Sequence, residues 1–150
     1  MRPYNLPMLN VRIRRLRASA RLPEYQSRGA AGFDLAASEP LVVQPGEVAL
    51  VPTGLVIEVP PGHFLGIFAR SSTPLKRGLM VANGVGIVDS DYCGPNDEVK
   101  IEVYNFTSAP VRVNAGDRIA QGVFIPVARA QWQEADALRE TSRGGFGSSG

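Results

Sequence analysis

The residue types that carry chemistry are few in this chain, and most of them stand beside glycine. The segment NGVGIVDSDYCG (83–94) holds two carboxylates, Asp89 and Asp91, behind Gly84 and Gly86. Those glycines permit a tight, bulged hairpin whose backbone amides approach a flat ligand closely. Asp91 lies two residues beyond Asp89, and at such a turn it reads as structural. A second segment, ARSSTPLKRG (69–78), offers Arg70 and the hydroxyls of Ser71 and Ser72, donors suited to phosphate oxygens. Thr73-Pro74 fits the start of a short helix, because proline is tolerated in a first turn and free amides there add further donors. Carboxylates are not clustered, and the one histidine, His63, follows Pro61-Gly62 as a turn residue does. Asp117, between Gly116 and Arg118, reads as locked into a turn with its neighbours.

These segments need a scaffold, and the pattern around them is one of many short strands. Stretches 11–16, 41–43, 48–51, 55–59, 64–69, 79–81, 99–106, 111–113 and 122–127 are rich in Val, Ile, Leu or Phe. Turn residues bound them, as in Gln44-Pro45-Gly46, Pro60-Pro61-Gly62 and Asn114-Ala115-Gly116. The spacing predicts an all-β fold, a distorted jelly-roll or sandwich of short antiparallel strands with at most one short helix. The twelve prolines and sixteen glycines are dispersed, so residues 1–141 read as one β domain. Residues 142–150, SRGGFGSSG, have one large apolar side chain, Phe146, and read as a mobile C-terminal arm.

Composition sets outer bounds. The 150 residues are 44% hydrophobic and 20% charged with a net charge of +2, the balance of an ordinary globular domain. No run of eighteen apolar residues is present, so no membrane-spanning helix and no membrane partner are expected. One cysteine, Cys93, rules out an internal disulfide and fits a reducing, cytoplasmic setting. Arg2, Arg12, Arg14, Arg15, Arg17 and Arg21 all precede the first acid, Glu24. An Arg-rich, acid-poor start also suits a targeting segment, but Pro3, Pro7 and the two-residue alternation of Val11 and Ile13 with Arg12 and Arg14 favour a strand with a basic outer face. Such a face is a solvated surface or a subunit contact, and no stable nucleic-acid partner is expected.

Together with AGFDLAA (31–37), AGDRIAQ (115–121) and GGFGSSG (144–150), the two segments above resemble, in order and approximate spacing, the five motifs of the trimeric dUTP pyrophosphatases (dUTPases). The resemblance runs from about Ala30 to Gly150 and implies hydrolysis of dUTP to dUMP and pyrophosphate. It implies that Asp89 activates the attacking water, taking its proton as the bond to phosphorus forms. Uracil would be held largely by main-chain groups of Gly86, Ile87 and Val88 with the side chain of Asn83. A fixed backbone pattern rejects cytosine by leaving polar groups unpaired. Tyr92 matches the tyrosine on which deoxyribose packs, a core tyrosine being the plain alternative. Arg70, Ser71, Ser72 and Lys100 would bind substrate, the first three through the phosphates of a nucleotide on a neighbouring subunit, so that a homotrimer has its sites at subunit interfaces. Asp34 and Gln121 match positions associated, through water, with a magnesium ion carried mainly on the phosphates. The arm would close over the nucleotide, with Phe146 on uracil and Gly147, Ser148 and Arg143 near the phosphates.

The chain departs from that pattern in places. Arg143 stands three residues before Phe146 rather than five, and Pro95–Glu98 is an insertion, read as a longer hairpin loop. Glu102 sits where a related dCTP deaminase carries its catalytic glutamate, which keeps deamination, or both activities, as an alternative. The plain reading of Glu102 is an exposed position on a strand edge. Leu75 and GIVDSDY do not match the deaminase pattern. A non-catalytic nucleotide-binding relative is the remaining alternative.

Overall fold

The structure, a computed structural model, describes residues 8–145. Ten short strands and one helical turn make up its regular elements. The strands are β1 (Ile13–Arg15), β2 (Phe33–Ala36), β3 (Leu41–Val43), β4 (Val48–Ile57) and β5 (His63–Ala69), followed by β6 (Leu79–Val81), β7 (Gly86–Val88), β8 (Val99–Asn105), β9 (Val111–Val113) and β10 (Arg118–Pro126). They form two four-stranded sheets, ordered β1-β4-β8-β6 and β2-β10-β5-β7, and a small sheet of β3 with β9. All pairings are antiparallel. The all-β architecture expected from the spacing of apolar runs is the one observed.

Alternation within the strands explains the core. In β8, Val99, Ile101, Val103 and Asn105 point inward and are buried, while Lys100 is exposed and Glu102 and Tyr104 are half-buried on the other face. Leu35, Leu65, Ile67 and Ile119 of one sheet meet Val51, Leu55, Ile57, Ile101 and Leu79 of the other in a single apolar cluster. Val43 and Val113 of the small sheet close one end of it.

Three expectations need correcting. Stretches 48–51 and 55–59 are one strand, β4, interrupted by a bulge between Pro52 and Leu55. Gly54 takes φ +70° there, and the Thr53 hydroxyl donates to the Val99 carbonyl at 2.5 Å, which satisfies an acceptor that the bulge leaves unpaired. Segment 83–94 is not a hairpin: β6 pairs with β8 and β7 with β5, so residues 82–85 cross from one sheet to the other. Gly84, at φ +73°, makes that turn possible. Glu102 lies on β8, between β4 and β6, and so is on an interior strand and not at an edge. Strands β2 and β7 were not in the sequence reading, since FDLA and GIV are too short and too rich in Asp and Gly to look like strands alone.

Among the described residues the only helical turn is Thr73–Arg77, as Thr73-Pro74 suggested. It ends at Gly78 in the left-handed region (φ 67°), and a Cβ there would collide with the Thr107 side chain. The Thr73 amide bonds to the Arg70 carbonyl and its hydroxyl to the Ile119 carbonyl, so this amide is not free for a ligand. Beyond β10, residues 127–145 carry no strand or helix and are exposed, with Trp132 at 91% and Leu138 at 89%.

Candidate active site

Charged and polar side chains gather first around β2 and β10. Asp34 on β2 faces Gln121 on β10 in register, and Gln121 faces Phe68 on β5. The chain leaves β5 at Ala69, so Arg70 emerges beside them; its Nε donates to Asp34 Oδ1 at 2.7 Å. Arg118 donates to the other oxygen, Oδ2, at 3.0 Å. Gln121 donates through Nε2 to the Ala69 carbonyl at 3.0 Å, and its Oε1 accepts nothing from another described residue. That oxygen lies over Gly32, where a Cβ would come within 2.7 Å of it. Ser71 is exposed and Ser72 half-buried, and neither hydroxyl has a partner among the described residues.

The turn after Asn114 braces this cluster. Asp117 accepts the Asn114 amide at 2.8 Å and an Arg77 N–H at 2.8 Å, and Arg77 holds its carboxyl below the usual range. The turn reading of Asp117 stands, and Arg77 proves to be its partner. A cleft of about 950 Å³ opens beside the cluster, lined by Arg15, Arg21, Glu24, Asp34 and Arg118 among others. Neither Asp89 nor Tyr92 lines it.

A second group lies at the other edge of the same sheet. Gly86 and Val88 of β7 are buried and Ile87 is exposed; β5 occupies one side of β7, and among the described residues no strand pairs with the other. The backbone of Gly86, Ile87 and Val88 along that open side is therefore available to a flat, hydrogen-bonding ligand. Asn83 is exposed on the crossing turn just before it. Asp89 follows immediately, exposed, with no side-chain hydrogen bond or ion pair among the described residues. Tyr92 is 43% exposed and so is not a core tyrosine; its hydroxyl donates to the Glu98 carbonyl at 3.3 Å. Lys100 and Glu102 are on the outer face of β8, and the Glu102 carbonyl accepts the amide of Ala82, next to Asn83.

Within one chain the two groups are far apart. Val88 faces Leu65, whereas Gln121 faces Phe68, and β2 and β7 are opposite edges of the sheet. With strands about 4.8 Å apart and a rise of about 3.3 Å per residue, Asp89 lies roughly 20 Å from Asp34. The structure thus brings Asp34, Arg70 and Gln121 together and Asn83, Gly86, Ile87, Val88, Asp89 and Tyr92 together, but not the one set with the other. Arg143 is exposed at the end of the described chain, and Phe146, Gly147 and Ser148 lie outside the described residues.

The family model described as dUTPase matches residues 18–150. The chain belongs to the dUTPase family. It is 50% identical over 135 residues to a deoxyuridine 5'-triphosphate nucleotidohydrolase of Desulfitobacterium hafniense, with 87% of each chain covered. It is 46% identical over 150 residues to one of Methylocella silvestris, covering 95% of this chain and 92% of that one. Among solved structures, Staphylococcus bacteriophage 80alpha dUTPase with dUPNHPP superposes at a TM-score of 0.84, over 95% of this chain and 99% of that one. At 24% identity that likeness is one of fold.

Two residues important to this region escaped the sequence reading. Glu98, in the insertion, ends the loop with a buried carboxylate instead of a solvated one, and Arg17, in the basic run, is its partner at 2.6 Å. They are 81 positions apart, a separation at which no spacing signal exists.

Proposed function

We propose that the chain hydrolyses dUTP to dUMP and pyrophosphate, and that two subunits build each site. The observation that carries this reading is the free carboxylate of Asp89 at the end of an open strand edge, in a member of the dUTPase family. A nucleotide whose uracil bonds along Gly86, Ile87 and Val88, with Asn83 beside it, presents its α-phosphate toward Asp89. Uracil offers N3–H between two carbonyls, and cytosine, with a different order of donors and acceptors, leaves backbone groups unpaired. Deoxyribose packs on the exposed ring of Tyr92, where a 2′-hydroxyl is crowded out.

Water attacks the α-phosphorus in line, Asp89 accepts its proton, and the bond to the bridging oxygen breaks to release pyrophosphate. Arg70, Ser71 and Ser72 of a neighbouring subunit bind the phosphates, with Lys100 adding positive field. The roughly 20 Å between Asp89 and Asp34 in one chain supports this sharing, because a triphosphate cannot bridge it in a productive pose. We extend the proposal to a homotrimer and to residues 142–150 as an arm that closes over the nucleotide, with Phe146 on uracil and Arg143, Gly147 and Ser148 at the phosphates. The work belongs in the cytoplasm, where the exposed thiol of Cys93 stays reduced.

The residues present fit a magnesium ion carried on substrate. Among the described residues no three His, Cys, Asp or Glu side chains group to form a metal cage. Both Asp34 oxygens are paired to arginines, which leaves spare lone pairs for metal-bound water, and Gln121 Oε1 has no donor among the described residues. Asp34 and Gln121 would hold such an ion through water, and its charge would offset that of the phosphates and favour the pyrophosphate leaving group. The solved dUTPase of phage phi11 is described as coordinating a structural Mg(II) ion.

The test is incubation with dUTP and with dCTP plus magnesium, followed by separation of products. Release of dUMP and pyrophosphate from dUTP is expected. Formation of dUTP from dCTP would give the catalytic role to Glu102, whose backbone bonds beside Asn83. No product from either nucleotide would make the chain a binding protein.

A further inference from the structure

The loop that carries Asp89 and Tyr92 is held from behind by a carboxylate. Residues 89–98 begin with a turn, Tyr92 N–H to the Asp89 carbonyl, and continue with Gly94 N–H to Asp97 Oδ2 at 2.7 Å. They close where the Tyr92 hydroxyl donates to the carbonyl of Glu98. Glu98 is 9% exposed, and its side chain turns away from the loop into the body of the protein. One oxygen accepts the Gly54 amide of the β4 bulge at 2.7 Å and an Arg17 N–H at 2.6 Å; the other accepts a second Arg17 N–H at 3.1 Å. Arg17 is fixed in turn by the Ser38 hydroxyl at 2.7 Å and by Glu39 at 3.3 Å. The residue whose carbonyl fixes the tyrosine ring is thus anchored by a forked ion pair to three other segments of the fold.

We propose that Glu98, through Arg17, is a positioning residue that sets the ring of Tyr92 and with it the discrimination between deoxyribo- and ribonucleotides. This rests on Tyr92 being the sugar-packing residue. A half-exposed ring on a ten-residue loop has room to tilt. Excluding one hydroxyl requires that it not tilt, because a pocket that yields admits the larger sugar. One link with two parts acts on the ring: its hydroxyl bond, and the fixed backbone of the residue receiving that bond.

The experiment measures kcat/KM for dUTP and for UTP in the wild type and in Glu98→Gln, Glu98→Ala, Arg17→Lys and Tyr92→Phe, with calorimetry to report the folded fraction. The dUTP/UTP ratio should fall roughly tenfold or more in the Glu98 variants. It should fall in the same direction for Arg17→Lys, which loses the fork, and for Tyr92→Phe, which loses only the hydroxyl. In the Tyr92→Phe background, Glu98→Gln should change the ratio little further, since both act on one link. If Glu98 variants lower both rate constants by one factor and leave the ratio intact, the residue is merely structural and the proposal is overturned. A ratio unchanged in Tyr92→Phe overturns it as well, and that variant removes one half-exposed hydroxyl and should fold even where Glu98→Ala does not. A wild-type enzyme that itself fails to distinguish dUTP from UTP would instead remove the assignment of Tyr92 to the sugar.

Discussion

Three carboxylates in this protein do different work because their surroundings differ. Asp89 is exposed and unpaired, so replacing it with the isosteric amide disturbs no contact among the described residues. Asp89→Asn should therefore bind a non-hydrolysable dUTP analogue as tightly as wild type while kcat falls about 10²–10⁴-fold; near-normal turnover would take Asp89 out of the role. Glu98 is buried and forked to Arg17, whose N–H donors, together with the Gly54 amide, hold its carboxyl below the ordinary value of 4.5. A depressed folded-state pKa means the pair stabilises the protein above about pH 4.5 and ceases to do so as pH falls through the lower, folded value. Glu98→Gln should then be less stable at neutral pH, by about 2–3 kcal/mol because Arg17 keeps some solvent contact, and should lose less of its melting temperature on acidification than wild type does. A parallel pair of pH profiles would refute that linkage. Arg12 and Glu58 form an equally short pair on the surface, with side chains 87% and 38% exposed. Solvent screening removes most of its worth, so Arg12→Ala should leave the denaturant midpoint near that of wild type.

At the scale of elements, the bulge of β4 connects the core to the loop of Asp89 and Tyr92. Gly54 takes a left-handed φ of 70°, and a Cβ there would stand 2.7 Å from the Ala20 Cβ and 3.1 Å from the Ser38 Cβ. Neither neighbour is the end of a flexible chain. Gly54→Ala should lower stability by about 2–4 kcal/mol in urea unfolding, and by shifting the amide that Glu98 accepts it should also raise UTP turnover relative to dUTP. Stability near wild type would mean the bulge relaxes freely. Much of this scale was legible beforehand, for a physical reason: β3, β5, β6, β8 and β9 are runs of β-branched or large apolar residues between turn formers, and their boundaries are local events. The bulge was not legible, because Pro52-Thr53-Gly54 looks like a strand break until a partner strand supplies the Val99 carbonyl to the Thr53 hydroxyl. The crossing of residues 82–85 between sheets was read as a hairpin for the same reason, since only the distant partners β8 and β5 distinguish the two. The candidate site residues were singled out as segments, through motif order, but the pairings Arg70–Asp34, Arg77–Asp117 and Arg17–Glu98 join positions that no local pattern relates.

For the whole molecule, the decisive quantity is the distance between the two halves of the site. A sheet of four strands carries Asp34 on one edge strand, β2, and leads to Asp89 from the other, β7, while Gln121 and the exit to Arg70 lie on β10 and β5 between them, several residues along from Val88. No small hinge motion within a chain therefore closes the roughly 20 Å between Asp34 and Asp89. Closure by assembly makes a prediction that assembly for stability alone does not. Asp89→Asn and Arg70→Ala subunits should each form inactive trimers by light scattering. Mixed by joint refolding, they should recover activity, because some interfaces then pair an intact Asp89 with an intact Arg70 from the neighbour. In a cyclic trimer with random mixing at equal ratio, each interface needs one particular variant on either side, so about a quarter of the sites should be intact. Deleting residues 142–150 from both variants should abolish the recovered activity without dissolving the trimer, if the arm closes over the nucleotide. Recovery near zero with trimers demonstrably mixed would mean each chain completes its own site, and the separation that the sheet order implies within one chain would then have to be bridged by a rearrangement of the sheet itself.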